Sequence, residues 1–335
     1  MGTTECTPDR RLAVAPMMDW TDRHCRSFLR LISRRTLLYT EMVHADAVLR
    51  GDRARLLAHR PSEHPLAVQL GGSDPRTLAA ATRVCADAGF IEVNLNVGCP
   101  SDRVQAGRFG ACLMAEPGLV SDCVRAMREA VADHAQRPQV TVKTRIGIDE
   151  QDSLAFLLEF VAAQVAAGAD ALVIHARKAW LSGLSPKQNR EVPPLDHARV
   201  REVKRAFPEV PVVVNGGIRN LEVAAAMLDE LDGVMIGRVA YNDPWMLAEA
   251  DARIFGDPAP ALSRVEVVER YAMYVAEELA GGARLHHLTR HILGLFQGEP
   301  GARSWRRTLT EGSHREGAGV EVIRGALRSL SDRTA

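Results

Sequence analysis

Eight short apolar runs, nearly every one ending in or soon followed by polar residues, constrain this chain more than any other feature. They are Leu12–Ala15, Thr36–Thr40, Pro65–Leu70, Ile91–Leu95, Val140–Thr144, Ala171–His175, Val210–Asn215 and Gly233–Ile236. Between them, Pro75–Ala88, Pro117–Ala132, Ser153–Ala167 and Leu221–Leu231 carry helical spacing, and Gly or Asp-Gly breaks precede several strands. Strands that alternate with helices pair in parallel, and eight such units favour closure into a (β/α)8 TIM barrel. An open doubly wound sheet is the rival. It wants a GxGxxG turn after an early strand, and none occurs. The barrel pattern ends near Trp245. FGDPAPALS (255–263) reads as a linker, and Arg264–Leu279, Leu285–Phe296, Arg303–Thr310 and Val320–Leu330 read as helices. The expected organisation is a barrel over 1–250 followed by a small all-α domain over 260–335.

Composition narrows the chemistry. Cys6, Cys25, Cys85, Cys99, Cys112 and Cys123 are scattered with no CxxC pair, so neither a zinc site nor a disulfide framework is expected. No run approaches the ~20 apolar residues of a membrane span, and MGTTECTPDRR lacks a signal-peptide core, so a cytoplasmic protein is expected. The formal net charge is zero, so contact with a polyanion must rest on local patches. Only four lysines occur, and Lys143, Lys178 and Lys187 fall in or beside polar motifs.

In such a barrel, chemistry belongs at the C-terminal ends of the strands. There the chain places Pro16-Met17-Met18-Asp19, Glu41, Gln69, Asn94, Asn96 and Cys99, Lys143 and Arg145, His175 and Arg177, Asn215-Gly216-Gly217, and Gly237-Arg238. The last two loops suit a phosphate: glycines admit its oxygens, a helix N-terminus adds positive potential, and Arg238 offers a fork. The ligand's body would then lie over the barrel mouth. Met17 and Met18 offer soft contact, Gln69 and Asn96 offer paired donors and acceptors, and Lys143 offers a cation. Together they suit a flavin mononucleotide, whose reduced form carries negative charge at one edge. A Schiff-base lysine of the aldolase type is the alternative role for Lys143. Cys99, between Gly98 and Pro100, is open to several roles, plain packing included.

The motifs together resemble the tRNA-dihydrouridine synthases, specifically the A-type subgroup. The resemblance rests on VAPMMDWTDRHCRSFLR (14–30), LLYTEMV (37–43), PLAVQLGGSDP (65–75), EVNLNVGCPSDRVQAGRFGACLM (92–114), VTVKTRIGID (140–149), IHARKAWLSGLSPKQNREVPPLD (174–196), VNGGI (214–218), GVMIGR (233–238) and HILGLFQGEPGARSWRR (291–307). It implies an FMN-binding barrel with a helical tRNA-binding domain, reducing uridine to 5,6-dihydrouridine at D-loop positions 20 and 20a with NADPH. It places FMN on Pro16, Met17, Met18, Gln69, Lys143, His175, Asn215, Gly216, Gly217, Gly237 and Arg238. Asn96, Arg177 and Arg190 would lie near the target base, and Arg303 and Arg306 would face tRNA. The loop 176–197 adds Trp180, Lys178, Ser185 and Lys187, a mix of stacking surface and polar groups suited to RNA. Hydride from FMN would reach C6, and Cys99 would donate the proton to C5, since a thiol is largely protonated at neutral pH. A related flavin barrel acting on a free pyrimidine is the competing expectation; it needs neither the basic loop nor the helical domain.

Overall fold

The computed structural model describes residues 7–259 and 261–331. Residues 1–6, 260 and 332–335, which the expected domain limits and Cys6 include, lie outside the described residues. Strands β1 (Leu12–Val14), β2 (Leu37–His44), β3 (Leu66–Gly71), β4 (Glu92–Val97), β5 (Gln139–Arg145), β6 (Ala171–His175), β7 (Val212–Asn215) and β8 (Gly233–Ile236) pair in chain order. All are parallel, and β8 closes on β1.

Two-residue periodicity divides each strand between two cores. Leu12, Val14, Leu38, Val68, Val93, Val142 and Ile174 pack outward with the crossover helices. Ala13, Ala15, Leu37, Tyr39, Ala67, Val173, Val213 and Met235 form a separate inner cluster. In β4 and β5 the inward parity falls on Glu92, Asn94 and Asn96 and on Thr141, Lys143 and Arg145, so the barrel lumen is polar on that side. The crossover helices begin where local chemistry directs. Pro75–Asp87 has Pro at its first position and an Asp74 carboxylate accepting Thr77 N–H at 2.7 Å; Asn220 caps Leu221–Leu228 the same way at 2.9 Å.

The expected strands hold, with one informative difference. β2 runs four residues past Thr40, because after an irregularity between Tyr39 and Met42 it pairs again, Met42 with Gln69 and His44 with Gly71. This carries Glu41 and Met42 into the mouth. The segment expected as one helix over Leu285–Phe296 is helical only at Leu285–Thr289. Beyond it Gly294 presses on the Asn242 carbonyl, where a Cβ would sit 2.3 Å from the oxygen.

Helix Arg264–Ala280 opens with a Ser263–Glu266 capping box and docks on helix Arg23–Ile32, with Tyr271 against Phe28 at 5.3 Å. Helices Ala302–Gly312 and Glu321–Ser331 complete the C-terminal helical segment. Asp22 fastens this segment to the barrel. Its carboxylate caps helix Arg23–Ile32 through the N–H groups of His24 and Cys25, both at 2.9 Å. It also accepts Arg290 Nη2 at 2.6 Å and meets the buried His291 Nε2 at 3.1 Å. Burial alone would raise the Asp22 carboxyl, but His291, the Cys25 N–H and Arg290 hold it well below the usual carboxylate range. The sign follows: its contribution is complete above the ordinary aspartate value and is lost only as pH falls through the lowered one. Asp22→Asn is expected to cost about 1–3 kcal/mol at neutral pH. In denaturant titrations the gap from wild type should close in acid, below the ordinary aspartate range; a gap independent of pH would refute the ion-pair account.

Among the described residues, no helix is long and apolar enough to cross a membrane. None of their His, Cys, Asp and Glu side chains gather in a group of three that could hold a metal ion.

Candidate active site

A cavity of about 1790 Å³ opens at the C-terminal mouth of the barrel. The register explains its floor. Gln69 pairs with Asn94, Asn96 with Lys143, Arg145 with His175, and His175 with Asn215, so five consecutive strands deliver polar side chains at one level. Nine Arg or Lys residues and four Asp or Glu residues line the cavity, so positive charge is concentrated here although the whole chain is neutral.

Lys143 lies on the floor. Among the described residues its ammonium has neither a hydrogen bond nor an ion pair. Burial, then the positive charges of Arg145 and Arg190, push it down to about 7. Burial and the neighbouring Arg145 and Lys143 also hold His175 well below its ordinary range, so its imidazole is neutral. Asn215 donates to the Met235 carbonyl at 2.7 Å and ties β7 to β8.

Gly216 and Gly217 follow at φ +103° and +77°, a conformation that favours glycine. A Cβ on Gly216 would lie 2.5 Å from His175 Cδ2, and one on Gly217 would lie 2.4 Å from Leu195 Cδ1. Gly237 precedes Arg238, whose guanidinium bonds Glu191 Oε1 at 2.5 Å. Pro16, Met17 and Met18 form the adjoining rim after β1, where a Cβ on Gly237 would lie 4.0 Å from Met17 Sδ. Their turn is held by Asp19, at φ +64°, donating its N–H to Glu41 Oε1 at 2.5 Å.

Cys99 lies on the opposite wall in a fully bonded loop. Asn96 Oδ1 accepts the N–H groups of Gly98 and Cys99, each at 3.0 Å. Arg145 Nε donates to the Gly98 carbonyl at 3.0 Å, and the Ala111 N–H donates to the Cys99 carbonyl at 2.9 Å. Gly110 permits that last contact, since a Cβ there would lie 2.5 Å from the Cys99 oxygen. The backbone is thus immobilised, while the Cys99 thiol faces the cavity with only Ser101 Oγ at 3.5 Å.

The cavity wall includes every residue expected on the flavin, together with Cys99, Asn96, Arg177 and Arg190. The remaining expected RNA-facing residues sit outside it. Lys178 Nζ bonds Asp152 Oδ2 at 2.9 Å and covers the Trp180 ring at 4.1 Å. Ser185 Oγ accepts the Gln188 N–H at 3.3 Å, and Lys187 is exposed beside it. Arg303 and Arg306 lie on helix Ala302–Gly312, whose inner face is anchored by buried Trp305 donating to the Ile292 carbonyl at 3.0 Å. Arg306 reaches Gln297 Oε1 at 3.1 Å, and Arg303 is exposed.

Two features escaped the sequence. Arg145 ties the Cys99 loop to the loop after β6 through the Lys178 and Asn189 carbonyls at 3.3 and 2.9 Å. Its two-residue spacing from Lys143 was the available signal. His291 has the carboxylate partner that no local spacing revealed, because Asp22 stands 269 residues away.

Residues 13–331 match the family described as dihydrouridine synthase (Dus). This chain belongs to the dihydrouridine synthase family. A Vibrio cholerae protein named tRNA-dihydrouridine(20/20a) synthase is 56% identical, covering 96% of each chain. An Escherichia coli K12 protein of the same name is 54% identical, covering 96% of this chain and 92% of its own. These relatives place the dihydrouridine synthase in the A-type subgroup that its motifs resemble. A solved structure described as TcOYE with pHBA aligns with a TM-score of 0.52 at 10% identity, over 86% of this chain and 94% of that one; it shares the fold.

Proposed function

We propose that this dihydrouridine synthase holds FMN across the barrel mouth and reduces uridine to 5,6-dihydrouridine at positions 20 and 20a of the tRNA D-loop, with NADPH as reductant. The observation that carries this is the Lys143 ammonium on the cavity floor, without a hydrogen bond or ion pair among the described residues, in the same cavity as a thiol whose loop has the Gly98 and Cys99 backbone N–H and C=O groups all hydrogen-bonded. The donor set fits the group. Gly237, where an added Cβ would meet nothing closer than 3.9 Å, leaves room for a phosphate that Arg238 would take over from Glu191, and the positive-φ Gly216–Gly217 turn stands on the strand beside it. Gln69, His175 and Asn215 line the same cavity as Lys143, and Met17 and Met18 offer apolar cover.

FMN, when bound, supplies hydride to C6 of the uracil ring after accepting it from NADPH. The chain's own residues do the rest. Lys143 and Arg145 set a positive field on the floor, which stabilises anionic charge developing there. Cys99 holds a proton at Sγ for C5, since addition at C6 leaves an enolate that must be protonated. Arg177 and Arg190 border the space for the base, which must leave its stack to enter. Arg303 and Arg306 offer their charges to the tRNA backbone from the helical segment, whose barrel-facing contacts leave them outward. A tRNA substrate is consistent with a cytoplasmic enzyme.

The purified protein should be yellow and release FMN on denaturation. With NADPH it should form dihydrouridine at positions 20 and 20a of an unmodified tRNA transcript and leave free uridine unreacted. A colourless protein that FMN cannot reconstitute would overturn the flavin assignment, and equal turnover of free uridine would overturn the tRNA assignment. Raising Arg238→Ala with FMN should weaken binding about tenfold, the worth of one charge-assisted contact, in a flavin-fluorescence titration; unchanged affinity would move the phosphate elsewhere.

A further inference from the structure

A continuous column of buried side chains crosses the barrel lumen and ends on the Cys99 loop. At its lower end Glu92 Oε2 takes the Arg10 guanidinium, with Nε at 3.0 Å, and Glu92 Oε1 takes the hydroxyls of Tyr39 and Thr141, the latter at 2.6 Å. Asn94 Nδ2 donates to Thr141 Oγ1 at 2.8 Å. Gln69 Nε2 donates to Asn94 Oδ1 at 2.8 Å, and Asn96 Nδ2 donates to Gln69 Oε1 at 2.9 Å. Asn96 Oδ1 then receives the Gly98 and Cys99 N–H groups. Glu92, Thr141, Asn94 and Gln69 are each at most 2% exposed.

The direction of this column is dictated at both ends. A carboxylate only accepts, so Thr141 must give its single proton to Glu92 and receive from Asn94. Asn94 must therefore turn its nitrogen down and its oxygen up, and Gln69 and Asn96 must do the same. The upper terminus offers two N–H donors, which demand an oxygen from Asn96. An amide reversed anywhere would set donor against donor inside a dry lumen, where an unmade bond is costly.

Given Cys99 as the acid proposed above, we infer that Thr141 and Asn94 are positioning residues for it: they fix the amide polarity that lets Asn96 hold the Cys99 loop. Neither residue lines the cavity, so neither reaches substrate or flavin. Asn96, expected beside the target base, thereby gains a second duty. Its oxygen is committed to the loop, and its nitrogen to Gln69 and to Met42 Sδ at 3.2 Å.

The test uses flavin-loaded enzyme carrying Thr141→Val, which keeps the shape and removes the hydroxyl, and Thr141→Ser, which keeps the hydroxyl. Enzyme reduced with dithionite is mixed with saturating unmodified tRNA, and flavin reoxidation is followed in a single turnover. The iodoacetamide alkylation rate of Cys99, read on its peptide by mass spectrometry, gives a second measure without turnover. Thr141→Val is expected to slow reoxidation about tenfold, leave the tRNA dissociation constant within twofold, and change the Cys99 alkylation rate at least threefold. Thr141→Ser should restore all three. Thr141→Cys, of similar volume with a weak donor, replaces the valine variant if that one fails to fold. Wild-type reoxidation and alkylation in Thr141→Val, beside an inactive Cys99→Ala, would overturn this inference alone. Uridine reduction surviving in Cys99→Ala would overturn the acid assignment and this inference with it. An equal loss in the valine and serine variants would also overturn it, because packing rather than the hydroxyl would then be responsible.

Discussion

Cys99→Ala is expected to slow uridine reduction by about 10²–10⁴-fold, the range that a positioned general acid contributes. The loss should fall on one half-reaction. Among the described residues, the Cys99 thiol makes no hydrogen bond to any side chain expected on the flavin; its one hydrogen bond is to Ser101 Oγ at 3.5 Å. Flavin content and the rate of flavin reduction by NADPH should therefore change far less than the rate of reoxidation by tRNA. Fold damage is also expected to be small, because the loop is held by Asn96, Arg145 and the Ala111 N–H rather than by the sulfur. The measurement is a stopped-flow comparison of the two half-reactions. Equal losses in both would place Cys99 in flavin binding, and reoxidation at the wild-type rate would remove it from the chemistry.

Cys25, Cys85 and Cys123 are inert by burial, which pushes the thiols of Cys85 and Cys123 up to about 12. Cys99 differs in that its backbone is rigid while its sulfur is accessible, the combination a proton donor needs.

The barrel was legible because strand and helix periods differ and because each inward face must end somewhere. Of the polar residues named at strand ends from β3 to β8, all but Asn94 reached one mouth, since parallel strands in register share a top; Asn94 stays below it, buried between Gln69 and Thr141. The structure shows what period alone cannot. Thr141 looks like an ordinary strand residue in sequence and Asn94 like a strand-end group of the mouth, and their role in the lumen depends on which strand stands beside which. Asn96 read as a flavin contact because an amide at a strand end suits a heterocycle, and as a neighbour of the target base through the family resemblance; the N–H groups that capture its oxygen lie two and three residues further on. Lys178 and Lys187 fell near polar motifs, yet Lys178 is engaged by Asp152, a pairing set by the loop after β5. The extension of β2 past Thr40 was invisible because Glu41 and His44 interrupt the apolar run while the backbone keeps pairing.

Lys143→Met carries the other large expected effect, and its two parts have opposite signs. A half-buried ammonium with no carboxylate beside it is destabilising in the empty protein. Burial and the charges of Arg145 and Arg190 lower Lys143 from an ordinary 10.5 to about 7. Between those values the unfolded chain binds a proton that the folded chain releases, so stability rises with pH across that window; below pH 7 the penalty is complete and constant. Methionine has similar length and no charge to bury. The flavin-free variant should be more stable than wild type near pH 7, by a few kcal/mol, the order of magnitude that such a shift implies, with the difference shrinking as pH approaches 10. Flavin affinity should move the other way. Loss of one charge-assisted contact to an anionic ligand weakens binding about 10- to 100-fold, and more for the reduced ligand than for the oxidised one, because reduction adds negative charge. Thermal or denaturant unfolding of the flavin-free proteins at pH 7 and 10, with fluorescence titration of FMN, reads both parts. A variant less stable than wild type at pH 7 would mean that Lys143 has a partner in the folded protein. Unaltered FMN affinity would leave the cation on the cavity floor without the ligand assigned to it.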